Sequence, residues 1–330
     1  MGALSKLMKQ HFIHTALVII ALAVSCPLAF ADQTEKQAMQ KTERPVLKNA
    51  QEFIELFRKG EDRYDSHNSL PNLMIGNQLD PQAVKVLGEA LITDNDDVRD
   101  KIVYLLKRLK YLCHPAYELR TPEIIDLLVG PGFAKRDSAK GKAMNLLREY
   151  TSPATLSRYG DIFLRELKET PNGYIFLLIA KAKPKGAREV VERLARTPEW
   201  KNDKEMRIAQ AAFGNTKIED EFIAVAKQKE EAGDADGLMM SFYPLVEIGT
   251  QSSLRAVCQR LRSPLIVDEN DAGLSRPIPG EVLMALRYAF PEEADRALRG
   301  IATEEGYVQA EQFCELKTGV SYYGIPRPTF

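Results

Sequence analysis

"DPQAVKVLGEALITDNDDVRDKIVYLLKRL", residues 80–109, holds two apolar-striped runs joined by a short acidic turn. Asp80 stands where a helix cap is wanted, and Pro81 at the first helical position, where a missing N–H costs nothing. Ala83, Val84, Leu87 and Leu91 recur at helical spacing. Thr93 to Asp97 is a turn rich in capping side chains. Val98, Ile102, Leu105 and Leu109 then share one stripe of a second helix. The stretch reads as a helical hairpin, and a single hairpin cannot bury its apolar stripes alone.

The neighbours it needs are written in the same chain. Residues 121–150 align with 80–109 without a gap: Pro81 meets Pro122, Leu87 meets Leu128, Asp96 meets Asp137, Lys101 meets Lys142, and Leu105-Leu106 meets Leu146-Leu147. Gly130-Pro131-Gly132 ends the first helix of that second copy early. A third copy opens at Ser152-Pro153 and reaches its apolar pair at Leu177-Leu178. Frames starting at Pro184 and near Asn215 reach Ile208-Ala209 and Met239-Met240. Beyond residue 250 the spacing fails. "QSSLRAVCQRLRS" and "GEVLMALRYAF" read as two helices around a Pro/Gly-rich insertion, residues 264–280, and "PEEADRALRG" with "GYVQAEQFCELK" as a last pair.

Asp96-Asp97-Val98-Arg99, followed by apolar residues at 102, 105, 106 and 109, resembles the turn and second helix of a HEAT repeat, including the short bacterial forms. The likeness is good over 80–109, fair to about residue 183, and architectural from there to 320; Ala139-Lys140 replaces the Val-Arg dipeptide in the second copy. The resemblance implies an all-α fold, a right-handed solenoid of five to seven stacked hairpins over residues 47–319 with a concave inner face. Ahead of the first copy, "LKNAQEFIELFRKG" reads as an amphipathic helix that caps the stack, and "EDRYDSHNSLPNLMIGNQLD" as irregular. Residues 320–330, "VSYYGIPRPTF", read as an extended aromatic tail that either packs on the last helices or docks a partner.

Residues 1–31 read as a secretory signal. Lys6 and Lys9 give a basic start, Ala16–Val24 an apolar run too short to span a bilayer, and Ala29-Phe30-Ala31 a cleavage site. An uncleaved anchor and lipidation at Cys26, after Ala23-Val24-Ser25, are the alternatives. A periplasmic or secreted protein follows, with residues 32–46 a polar leader and no later stretch apolar enough to cross a membrane. Removing Lys6 and Lys9 takes the 45 basic residues to 43 against 46 acidic, a net charge of −3. That speaks against wholesale nucleic-acid binding. Cys113, Cys258 and Cys314 remain; Cys258 and Cys314 share the last third of the chain and are the pair to bond if any does, or else all three are small buried apolar residues.

No catalytic motif stands out. His67 and His114 are the only histidines beyond the signal, and Cys113 beside His114 is not a catalytic spacing. The acids at 94–97 lack the Gly and closing Glu of a calcium loop, so capping explains them. Neither a metal nor a cofactor is expected. The remaining candidate is the face of the second helices opposite their buried stripe: Asp100, Tyr104 and Lys107, then Asn145 and Arg148, Phe176, and Arg207 with Gln210. Cations, amides and aromatics mixed in one row suit a binding surface. The expected function is a scaffold gripping a protein or peptide, one version being an inhibitor or immunity protein. The alternatives are an envelope-polymer hydrolase or lyase with inner-face carboxylates, and a structural subunit of a secretion or surface complex.

Overall fold

The computed structural model describes residues 44–113, 119, 121–268, 275–291, 293–294 and 303–327. Residues 46–62 and 66–327 belong to one compact unit, described below; residues 44–45 and 63–65 group with the N-terminal region, Asp65 N–H donating to the Pro45 carbonyl at 3.0 Å. The expectations on the signal, Cys26 and most of the leader lie outside the described residues, as does His114.

The compact unit is predominantly α-helical. α1 (Ala50–Arg58) starts where the Asn49 side chain accepts from Glu52 N–H, and it buries Phe53, Ile54 and Phe57. The segment expected to be irregular folds into a one-turn helix α2 (Ser66–Ser69), a 3-10 turn (Leu70–Leu73) and a ribbon of β1 (Met74–Ile75) with β2 (Gln78–Leu79), paired Met74 to Leu79 around Gly76 at φ +63°.

The opening stretch is a helical hairpin. α3 (Pro81–Thr93) begins after Asp80, whose carboxylate accepts from Gln82 N–H, and α4 (Asp96–Cys113) after Asn95, whose side chain accepts from Val98 N–H at 3.0 Å. Val98, Ile102, Leu105 and Leu109 are buried to 1% exposure or less. The second copy gives α5 (Pro122–Val129) and α6 (Ser138–Tyr150). Its 3-10 turn Pro131–Phe133 follows the early end of α5, and a Cβ on Gly132 would lie 3.2 Å from the Leu127 carbonyl oxygen, so a side chain there would need the backbone to give by a few tenths of an ångström. The third frame splits its first helix into α7 (Pro153–Leu156) and α8 (Gly160–Glu169) before α9 (Gly173–Ala182). Then come α10 (Ala187–Leu194) with α11 (Lys204–Ala212), and α12 (Thr216–Glu231) with α13 (Ala235–Ile248).

The last third keeps the helices and adds a second ribbon. α14 (Gln251–Cys258) opens on a capping box between Thr250 and Ser253. The insertion contributes β3 (Ile266–Asp268) and β4 (Ser275–Pro277), antiparallel, with Val267 opposite Arg276. α15 (Ile278–Leu286) begins two residues before Gly280, because Pro279 sits in the first turn, where it is tolerated. α16 (Glu304–Thr318) lies against α14. The Cys258 and Cys314 sulfurs are bonded across these two helices, with Cα atoms 5.7 Å apart, inside a core that includes Leu254, Val257, Leu261, Ala310 and Tyr322. The tail folds back: Val320 and Tyr322 are buried, Tyr322 Oη donates to the Cys258 carbonyl at 2.6 Å, and Tyr323 is 98% exposed. The two small ribbons are the departure from a purely helical expectation.

Packing runs in chain order among the second helices: α4 on α6, α6 on α9, α9 on α11, α11 on α13 and α13 on α15. Between copies the links are buried and charged. Arg99, at 0% exposure, donates through Nε to Asp137 and through Nη2 to the Gly132 carbonyl at 3.2 Å. Asp137 also caps α6 through Lys140 N–H at 3.1 Å. Lys140, which occupies the position of Arg99 in the second copy, reaches forward in the same way to Glu166 on α8.

Candidate functional site

Turning Val98, Ile102, Leu105 and Leu109 inward leaves the opposite face of α4 to other partners. Tyr104 on that face is 61% and Leu112 43% exposed, with Arg108 between them at four-residue spacing. The Arg108 guanidinium lies 6.0 Å from the Tyr104 ring centroid. His67 and Leu70, from α2 and the turn after it, form the other wall of a groove of about 450 Å³. Its lining includes Tyr104 and Lys107 of the expected row. The Lys107 ammonium stands 5.4 Å from the centre of the Tyr150 ring, on α6, and the Lys110 ammonium 3.3 Å from the same ring. Burial pushes the Lys110 amine down to about 7; Lys107 and Arg287 add to the effect and Glu149 opposes it.

Asn145 and Arg148 come together on α6, but around a carboxylate of this chain. Arg148 Nη1 donates to Glu247 Oε1 at 2.8 Å, and Nη2 to Asn145 Oδ1 at 2.6 Å. The Asn145 amide donates to Glu149 Oε1 at 2.6 Å. The guanidinium also lies 5.5 Å from the Tyr288 ring, and Tyr288 meets Tyr243 edge-to-face at 5.4 Å. Lys181, on α9, donates to the Arg148 carbonyl. Glu247 is buried, and its second oxygen has no hydrogen-bond partner among the described residues. Burial pushes its pKa up, outweighing the pull of Arg148 and Lys181. Burial likewise pushes the Tyr288 and Tyr243 hydroxyls up.

The rest of the row disperses. Phe176, expected on the binding face, is instead covered by Trp200: the rings meet edge-to-face at 5.0 Å and Phe176 has 0% exposure. It is a core residue with no surface to offer a partner. Arg207 pairs with Glu221 and lies 5.5 Å from the Phe222 ring. Gln210, on the same helix, lines a separate cleft of about 230 Å³ with Arg188 and Phe213. Asp100 is taken by Lys142 and Ser138 of the next copy.

Among the described residues no three of His, Cys, Asp and Glu gather as a metal site would require, and no described helix is long and apolar enough to cross a membrane. Leu70, Arg108, Leu112 and Glu247 were not singled out from the sequence, and His67 was noted only as one of the two histidines beyond the signal. Arg108 and Leu112 carry a readable signal, four and eight residues beyond Tyr104 on one helix face. Glu247 carries another, a lone carboxylate in the apolar run "LMMSFYPLVEI" that must find a buried cation. What the geometry offers is a cationic and aromatic groove at one end and a closed ionic cluster beside it. Compared with known proteins, the chain matches no family model, no curated protein and no solved structure.

Proposed function

We propose that this chain is an exported binding scaffold, a right-handed HEAT-like solenoid that holds a protein or peptide partner at the Tyr104–Lys107 end of its inner row. Serial packing of the second helices, and the repeated Arg99 and Lys140 links from one copy to the next, support the solenoid. A bond between Cys258 and Cys314 suits an oxidising compartment, and so supports export. The observation that carries the reading is the groove that sets Tyr104, at 61% exposure, against Lys107, Arg108 and Leu112. A large exposed aromatic among cations is a composition enriched in interfaces. Hydrolysis is the weaker reading because Glu149 and Glu247, the carboxylates beside the groove, are both held by Arg148.

Site-specific photo-cross-linking in the native cell tests the proposal. A benzophenone side chain at Tyr104 is expected to trap discrete protein or peptide adducts. The same group at Val225, on α12 and 44% exposed, is the control. No adduct at 104, or the same adducts at both positions, overturns the reading.

A further inference from the structure

We infer that the Cys258–Cys314 bond is a redox lock on the last helix and the tail: the end of the stack stays open in a reducing compartment, closes after export, and once closed is shielded from reductants. The inference goes beyond the Tyr104 groove and rests only on the export half of the proposed function.

α16 has little apolar surface to hold it in place. It packs chiefly on α14. Among its aromatic and leucine side chains Tyr307 is buried, Phe313 is partly buried against Phe290, and Leu316 is 81% exposed. Its other buried side chains include Ala310, Glu311, Cys314 and Thr318, which are small or polar. α1, by contrast, buries Phe53, Ile54, Leu56 and Phe57. A bond between residues 56 apart in the chain supplies by constraint what apolar area does not.

The tail depends on the same joint. Tyr322 Oη donates to the carbonyl of Cys258 itself at 2.6 Å. Arg255 Nε donates to the Thr318 carbonyl at 3.0 Å. Arg262 donates through Nε to Glu311 Oε1 at 2.7 Å and through Nη1 to the Tyr322 carbonyl. Each of these ties crosses from α14, or the 3-10 turn Gln259–Arg262 after it, to α16 or the tail. When α16 lifts off α14, all of them are lost together and the tail goes with them.

Both cysteines have 0% exposure, among Leu254, Val257, Leu261 and Ala310. Thiol–disulfide exchange requires a thiolate to reach a sulfur, so the bond is made and broken only with α16 away from α14. One thiolate attacks a small or protein disulfide and releases one thiol. The other thiolate then attacks the mixed disulfide and releases the second. The two cysteines give up two electrons and two protons, and the oxidant leaves as two thiols. Docking of α16 then buries the new bond.

The test uses the full chain without its signal, made in a reducing cytoplasm, with one half oxidised by glutathione disulfide. Alkylation and mass analysis of the peptides holding residues 258 and 314 count the bond. Trypsin cleavage after Lys317 reads the last helix, and cleavage after Lys110, buried in α4, reads the whole fold. The reduced chain is expected to be cut after Lys317 at least about tenfold faster than the oxidised one, with Lys110 protected in both. C258A/C314A should behave as the reduced chain with or without oxidant; if it does not fold, the two redox states of the wild type carry the comparison. Dithiothreitol should open the bond at least about a hundredfold more slowly in the folded chain than in concentrated urea. Equal cleavage after Lys317 in both redox states, cleavage after Lys110 in the reduced chain, or equal reduction rates with and without urea overturns the inference. Fractionation that finds the protein in the cytoplasm would remove the export reading and leave these rates unchanged, so the two failures are distinguishable.

Discussion

Lys110 brings an ammonium to a place with no solvent exposure and rests it on the Tyr150 ring at 3.3 Å. The ring face favours the cation, but burial weighs more and holds the amine near 7. The direction fixes how stability depends on pH. Between about 7 and the unfolded value of about 10.4, the unfolded chain binds the proton and the folded chain does not. Lys110 therefore makes the protein more stable as pH rises through that window. Below about 7 the full cost of burying the charge is felt. Thermal melts of wild type and Lys110→Met from pH 6 to 10 should show a rising melting temperature in the wild type, a flatter one in the variant, and the larger gain from the substitution at pH 6. Equal slopes would mean that the amine keeps its ordinary pKa in the fold.

At the scale of elements, the Arg148–Glu247 pair joins α6 to α13, and Tyr288, just past α15, packs on the same guanidinium. Removing one partner of a buried pair leaves the other charge without compensation. Arg148→Ala should cost about 3–5 kcal/mol, whereas R148M/E247M, which removes both charges at similar volume, should cost far less. Urea denaturation at pH 7 makes the comparison; equal losses would refute the coupling. Glu247 adds a dependence opposite to that of Lys110. Its raised pKa means that the folded chain binds a proton the unfolded chain has released, so its contribution falls as pH rises from the ordinary carboxylate range through the raised value, and Glu247→Gln abolishes that fall.

Helices were the legible part of the sequence. Caps at Asp80, Asp137, Ser152, Asn172, Asp203, Asn215 and Asp234 each accept from a backbone N–H at the start of their helix, and such residues announce themselves without tertiary information. The ribbons did not, because strands of two or three residues are too short to show alternation. Lys140 looked like a departure from the repeat, yet it does the work of Arg99 with a different cation and a different acid.

Across the whole molecule, the placement of the candidate residues was legible where it depended on one helix and obscure where it depended on several. Tyr104 and Lys107 followed from facing away from the stripe at 98, 102, 105 and 109. Phe176 was misjudged because Trp200 lies in the non-periodic stretch between α10 and α11, whose return path no spacing rule describes. Glu247 was missed because its partner is 99 residues away.

That separation bears on how the protein comes apart. Hairpins that met only their immediate neighbours could fray from either end, one at a time. Here, peeling residues 235–288 away strips Arg148 of both Glu247 and the Tyr288 ring, so damage in one region is felt at once in another. Native-state hydrogen exchange should accordingly find the amides of Leu146 and Leu147 opening at the same free energy as those of Leu245 and Val246. Two distinct opening energies would show a molecule that unzips in stages; one shared value would show a single cooperative block, clasped across its middle.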